Sequence, residues 1–280
     1  MNLLIDSHFK IAVFGTGISA ERFLSSFLFL NAEITLVTRQ INEKSKSLAC
    51  KYNVNLLLDS QVELISNYDI LIFSLPIEPK LNLINSILEK SFSSKYFVIE
   101  KPFTNNYNEA VKLHNLLISR GINYVVPYTR IFDPQYAKFM DLSLSNYIQI
   151  EWYNLVNISI FDGLPHILNY ILNLTQKKIY LSDCFYNHGK LESFILKGLS
   201  ITIEVKIQET LIENNDGLLS ENKWIELNGV ILPFPNFIQA NICMLQYLLQ
   251  CHDNIEVHHK NNLETVLLTE KISNYKLNIK

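Results

Sequence analysis

The sequence predicts an α/β fold in two parts: a doubly wound parallel sheet, followed by a smaller α+β domain with a mostly antiparallel sheet. Three observations lead there. Near the N-terminus a short apolar strand runs straight into a glycine-spaced turn and a helix. Apolar strands then alternate with helical segments, which implies right-handed crossovers in a parallel sheet. Past residue 130 the hydrophobic period changes, and strands with one buried face take over. The implied domains are 1–128 and 129–280.

Lys10–Phe14 is the first strand, and Gly15-Thr16-Gly17-Ile18-Ser19-Ala20 follows it at the start of a helix. This is G-x-G-x-x-A in a strand–turn–helix setting. Gly15 permits the tight turn, Gly17 lets the backbone approach a pyrophosphate, and Ala20 allows close packing of helix on strand. The helix N-terminus offers N–H groups and partial positive charge to phosphates. A Rossmann-type dinucleotide site is therefore expected. The second strand, Ala32–Val37, is followed by Thr38 and Arg39 rather than by an acid. A hydroxyl and a guanidinium suit a ribose 2′-phosphate, so NADP is favoured, with NAD possible.

The alternation continues with a helix at 45–53, a strand at 54–58, a short helix at 60–66 and a strand at 69–74 that ends in Leu75-Pro76. A helix is expected from Leu81 to Lys90, then a buried strand at 96–99 closed by Glu100-Lys101-Pro102. A charged pair closing a buried strand is costly unless it is used or paired. C-terminal strand ends line the ligand crevice of such sheets, which aims Lys101 at a ligand. A helix at 106–120 closed by Gly121 and a strand at 123–126 complete this part.

In the second half, strands are expected at 147–155, 179–186, 191–196, 199–207 and 224–227, with a turn at Asn215-Asp216-Gly217. Helices are expected at 167–174, 237–250 and 262–275. Asp162-Gly-Leu-Pro-His166 precedes the first of these, and acid and imidazole four apart can share one helical face. An imidazole there can donate or accept a proton near neutral pH. The same residues are also compatible with a helix cap and a structural histidine. His252, His258 and His259 fall in a polar connection, and neither they nor His114 and His188 show metal-ligand spacing.

Taken in order, strand–GxGxxA, a strand ending near a proline, strand–Glu100-Lys101-Pro102 and helix–Gly–strand resemble the glucose–fructose oxidoreductase/inositol dehydrogenase (Gfo/Idh/MocA) family. Pro127-Tyr128-Thr-Arg130-Ile-Phe132-Asp133-Pro134 resembles the R-F-x-P stretch leading into that family's second domain. The resemblance places Lys101 on the family's lysine, and Asp162 and His166 on its D-x-x-x-H pattern. It implies an NAD(P)-dependent oxidoreductase. Gly15, Thr16, Gly17, Ile18, Ser19, Thr38, Arg39, Leu75, Pro76 and Glu100 would hold cofactor, and Lys101, Asp162 and His166 would work at the carbon exchanging hydride. Tyr128 and Arg130 would line the substrate crevice or pack the domain junction. The implied substrate is a sugar, nucleotide-linked sugar or polyol, with imine or tetrapyrrole reduction as the alternative. A nucleotide-binding sensor without turnover is the second reading, and retention of Lys101, Asp162 and His166 together argues against it. Three departures stand out: Lys80 where the family often has histidine four residues after the proline, Asn169 where an acid is common, and a short second domain.

Composition agrees with a globular chain: 48% of residues are hydrophobic and 18% charged, so a sizeable core is available. A net charge of −3 gives no sign of nucleic-acid or membrane-surface binding. The four cysteines show no CxxC spacing and read as buried, reduced thiols. No apolar run spans a bilayer and residues 1–11 show no leader pattern, so a cytoplasmic protein without a bound metal is expected. By resemblance it would form a homodimer or homotetramer.

Overall fold

A computed structural model describes residues 8–28, 30–90, 92–137, 146–155, 160–188, 190–210, 225–232, 235–250 and 255–275. The predicted turn at 215–217, Trp224, His252 and Cys251 lie outside them. The chain divides into two compact units. One runs to Thr129 and also takes up Phe237–Lys260. The other is Arg130–Asn236 with Asn261 onward. Helix 237–250, grouped with the second domain on sequence, thus belongs to the first unit.

The first unit contains β1 (Phe9–Phe14), α1 (Ile18–Phe27), β2 (Ala32–Thr38), α2 (Glu43–Tyr52), β3 (Asn55–Leu58), a 3₁₀ turn at Asp59–Ile65, β4 (Ile70–Phe73), α3 (Ile77–Leu88), β5 (Tyr96–Ile99), α4 (Tyr107–Ser119) and β6 (Asn123–Val125). The strands form one parallel sheet in the order β3-β2-β1-β4-β5-β6. The order reverses between β1 and β4, the switch point at which such sheets open a ligand crevice. Ile11–Phe14, Ile70–Phe73 and Phe97–Ile99 are buried throughout. Helices covering both faces of a parallel sheet require such continuous apolar strands.

Helix α3 begins four residues before the expected start. Pro79 is its third residue, where a missing N–H breaks no intrahelical bond. That shift puts Lys80 into the first turn, and its backbone N–H donates to Pro76 O at 3.0 Å.

The second unit begins with two short turns, α5 (Thr129–Phe132) and α6 (Pro134–Ala137), and continues through β7 (Tyr147–Leu155), α7 (Ile160–Thr175), β8 (Tyr180–Asn187), β9 (Lys190–Gly198), β10 (Ile201–Thr210), β11 (Ile225–Leu227) and β12 (Val230–Leu232). Its sheet runs β12-β11-β7-β10-β9-β8, antiparallel except for the parallel β7–β10 pair. Ile148, Ile150 and Trp152 alternate with Gln149, Glu151 and Tyr153, and the apolar set joins Leu164, Ile167, Leu168 and Ile171 of α7 in one core. Gly163 makes this approach possible, since a Cβ there would come closer than 3.0 Å to the Trp152 ring.

Two further helices follow: α8 (Phe237–Gln250) and α9 (Ile255–Tyr275). Helix α8 packs on α1. Asn241 Nδ2 donates to Ser26 Oγ at 3.0 Å, both atoms buried, and the Arg22 guanidinium lies 4.0 Å from the Phe237 ring centre. Helix α9 starts seven residues before its expected beginning. His258 and His259 are therefore buried helix residues rather than part of a polar connection. The expectation of buried cysteines also needs correction, because Cys50 is exposed on α2 while Cys184 is buried.

Candidate active site

The turn after β1 is shaped by packing. Gly15 has φ of +109°, and a Cβ on it would press on the Ser74 carbonyl at the end of β4. Its N–H donates to Val37 O at 2.9 Å, and Ser74 N–H donates to Phe14 O at 3.0 Å. The turn is thus locked between two neighbouring strands, and only glycine fits. Gly17 differs. It is the N-cap of α1 with φ of −83°, no side chain caps the helix there, and a Cβ would meet nothing within 4 Å. The helix start faces open space with its N–H groups uncapped, which is what a pyrophosphate requires. The residues fit a dinucleotide.

Thr38 closes β2 and its hydroxyl donates to Gln40 O at 3.1 Å, while Arg39 beyond it is exposed. Leu75 and Pro76 lead from β4 into α3. Thr16 and Ser19 are half-buried and Ile18 is 72% exposed, consistent with a rim surface that ligand would cover.

The end of β5 is fastened on two sides. The Ser19 hydroxyl donates to Glu100 Oε2 at 2.8 Å, tying the glycine turn to the strand end. Burial raises the Glu100 carboxyl above its ordinary range, opposed by the Ser19 hydrogen bond and by Lys101, Lys80 and Arg22 nearby. Beneath it, Lys80 is 0% exposed and its ammonium donates to the carbonyls of Glu100 and Pro102. Lys101, half-buried between them, precedes a cis peptide bond to Pro102. Tyr128 is fully buried, and burial holds its phenol protonated at all ordinary pH.

In the second unit Arg130 is buried beside Tyr136, which shares a hydrogen bond with it, and Tyr136 meets Tyr170 edge to face at 5.4 Å. Asp162 and His166 lie four residues apart in α7. The helix begins at Ile160 rather than after His166, so both are inside it. The side chain of Asp162 is outside the described set, and His166 is half-buried. Asn169, one turn further on, is fully buried, donates to Thr265 Oγ1 at 3.1 Å and accepts from Asn173 at 3.0 Å. A concavity of about 500 Å³ on the opposite face of this sheet, lined by Tyr147, Gln149, Glu151, Glu226 and Asn228, holds none of the proposed residues.

The structure therefore joins Gly15, Ser19, Glu100 and Lys101 in one strand-end cluster of the first unit, and sets Asp162 and His166 on one helix of the second. The sequence reading missed the Lys80 contacts, the Gly163–Trp152 approach and the buried His258 and His259. His258 Nε2 accepts from Val126 N–H at 3.1 Å and His259 Nε2 bonds Tyr124 O at 2.9 Å. The spacing of Lys80 after Pro76 was the available signal for the first of these.

A family model described as an oxidoreductase family with an NAD-binding Rossmann fold, Gfo/Idh/MocA, matches residues 9–128. Over those residues the chain is similar to the NAD-binding part of that oxidoreductase family. An uncharacterised oxidoreductase of Schizosaccharomyces pombe is 33% identical over 138 residues, which is 44% of this chain and 34% of that one. The chain thus matches about a third of that relative's length. A Gfo/Idh/MocA oxidoreductase from Vibrio cholerae superposes with a TM-score of 0.73 at 14% identity, covering 97% of this chain and 99% of the other. A dehydrogenase from Clostridium difficile gives 0.72 at 18% identity, covering 95% and 99%. A 3-ketoreductase from Actinomadura kijaniata, solved with NADP and TDP-benzene, gives 0.72 at 12%, covering 95% and 97%. At these identities the likeness is one of fold, and it covers both units. Among the described residues no helix is long and apolar enough to cross a membrane, and no group of three metal-ligating side chains occurs.

Proposed function

We propose that this protein is an NADP-dependent oxidoreductase acting on a carbonyl or carbinol carbon of a small polar substrate, a sugar, nucleotide-linked sugar or polyol. One observation carries the reading. The glycine turn fitted to a pyrophosphate and the lysine-bearing end of β5 are hydrogen-bonded into one cluster at the β1/β4 switch point, through Ser19 and Glu100. The Actinomadura relative, solved with NADP and a TDP-linked ligand, supports the cofactor and substrate class. A bound nicotinamide cofactor supplies or accepts the hydride. Gly15 and Gly17 receive its phosphates, and Thr38 and Arg39 its adenosine ribose. Lys101 polarises the substrate oxygen, His166 gives or takes the proton, and Asp162 orients His166 or binds substrate hydroxyls. Tyr128 and Arg130 shape the substrate side.

Lys101→Met and His166→Asn, assayed with NADPH against a panel of keto-sugars and with NADP against the matching polyols, test this. Each variant is expected to lose at least about 10²-fold in kcat while NADPH affinity stays within about threefold. Variants that turn over at the wild-type rate would refute the assigned roles. A wild type that binds NADPH tightly and transfers no hydride to any member of the panel would favour a sensor.

A further inference from the structure

The buried lysine of α3 has no part in the roles above. Lys80 is 0% exposed, so it reaches neither solvent nor ligand, and its ammonium is directed at two backbone carbonyls. Those carbonyls belong to Glu100 and Pro102, the residues on either side of Lys101. A buried ammonium is tolerated only when acceptors replace its water shell, so these contacts are what keeps Lys80 inside. In return, the ammonium bridges the backbone across Lys101 with charge-assisted bonds, the stronger kind. Burial lowers its pKa to about 8, and Glu100 and Lys101 are the charged groups that face it, the first opposing and the second adding to that shift. It is thus cationic at neutral pH. Helix α3 anchors the base of this bridge through its first turn, and β5 anchors the other end.

We propose that Lys80 is the positioning residue for Lys101: by holding the carbonyls on both sides of Lys101, it sets the direction from which the Lys101 amine enters the strand-end crevice. This rests on Lys101 acting on substrate, and it assigns a role to the residue that stands where relatives often have histidine. The test has two arms. The first reads Lys101 directly, by NMR of the reductively ¹³C-methylated protein, with the Lys101 signal assigned through Lys101→Arg. In Lys80→Met the signal is expected to shift and to lose its wild-type response to NADPH. The second arm reads turnover. Kcat is expected to fall about 10²-fold, the penalty of a misplacement near 1 Å, with KM and NADPH affinity within about threefold. Lys80→His, which restores a donor, is expected to recover part of both. An unmoved Lys101 signal in folded Lys80→Met overturns the proposal. Should that variant not fold, Lys80→Gln decides, because its shorter neutral amide does not span both carbonyls, and an unmoved signal there overturns it equally. If the wild type transfers no hydride at all, the oxidoreductase reading falls and the first arm still decides what Lys80 does.

Discussion

The two glycines of the nucleotide turn should fail in opposite ways when each is replaced by alanine. At Gly15 the φ of +109° lies where L residues are strained, a cost of about 1–3 kcal/mol. The new Cβ also presses on the Ser74 carbonyl, which is held by its own strand pairing, adding roughly 1–3 kcal/mol of overpacking. Stiffening of the unfolded chain offsets about 0.4–1 kcal/mol. Gly15→Ala should therefore lose about 3 kcal/mol, within a range of roughly 1–5, a large share of the 5–15 kcal/mol typical of a domain. At Gly17 neither cost applies. Its φ of −83° suits alanine and its surroundings are open, so Gly17→Ala should cost under about 1 kcal/mol, the value of a weaker helix cap. Its methyl group stands instead where a pyrophosphate would approach, and NADPH affinity should drop at least about tenfold, or 1.4 kcal/mol. Tryptophan fluorescence is a poor probe, since both tryptophans of the sequence lie beyond residue 130. Hydrogen exchange at the Gly15 and Ser74 amides, both bonded to neighbouring strands, reads the first unit directly. The reasoning fails if Gly15→Ala keeps its protection to within about 0.5 kcal/mol. It also fails if Gly17→Ala binds NADPH like the wild type.

Acid should loosen the first unit before ordinary carboxylate titration does. Burial lowers His258 to about 3 and His259 to about 4, below the value near 6.5 of the unfolded chain. Two depressed groups give stability that is present above pH 6.5 and is lost as pH falls toward 4, with a slope of up to about 2.7 kcal/mol per pH unit. Urea melts between pH 7 and 4 check this, and His258→Gln should flatten the dependence. Asn169→Asp, which introduces the acid common among relatives, should destabilise the second unit by about 1–3 kcal/mol, because it removes the donor to Thr265 and buries a charge. Thermal melts decide the point, and an unchanged midpoint would contradict it. Arg39→Ala should weaken NADPH binding much more than NADH binding in parallel titrations, and equal effects would count against the 2′-phosphate role.

The parallel sheet was legible because its signals are local. Continuous apolar strands, a glycine turn in a strand–helix setting and regular alternation each follow from short-range sequence. Helix starts were less legible. The helices expected from residues 81 and 167 begin earlier and take in a proline each: Pro79 sits in the opening turn of α3, where its missing N–H is harmless, and Pro165 lies inside α7. The polar string around His258 and His259 read as a connection, since nothing in the sequence shows that Tyr124 of β6 and Val126 just after it supply backbone partners for the two rings. Lys80 was visible as an oddity of spacing, but lysine is so commonly exposed that only the coordinates reveal two carbonyls around its ammonium. The same applies to Asn169, whose contact with Thr265 spans 96 residues of sequence.

Completion of the first unit by residues 237–260 has a consequence for synthesis on the ribosome. The alternating strands and helices through residue 129 can leave the exit tunnel long before α8 exists, with the face of α1 that meets Asn241 and Phe237 still uncovered. Domains ordinarily fold in the order in which they are made, yet here the earlier-made part waits for a segment that follows only after the whole stretch Arg130–Asn236 of the other unit. A fragment ending near residue 129 is therefore expected to be sticky and chaperone-dependent. Chains that join residue 129 to 237 through a short flexible linker should recover a nucleotide-binding body that the simple truncation does not.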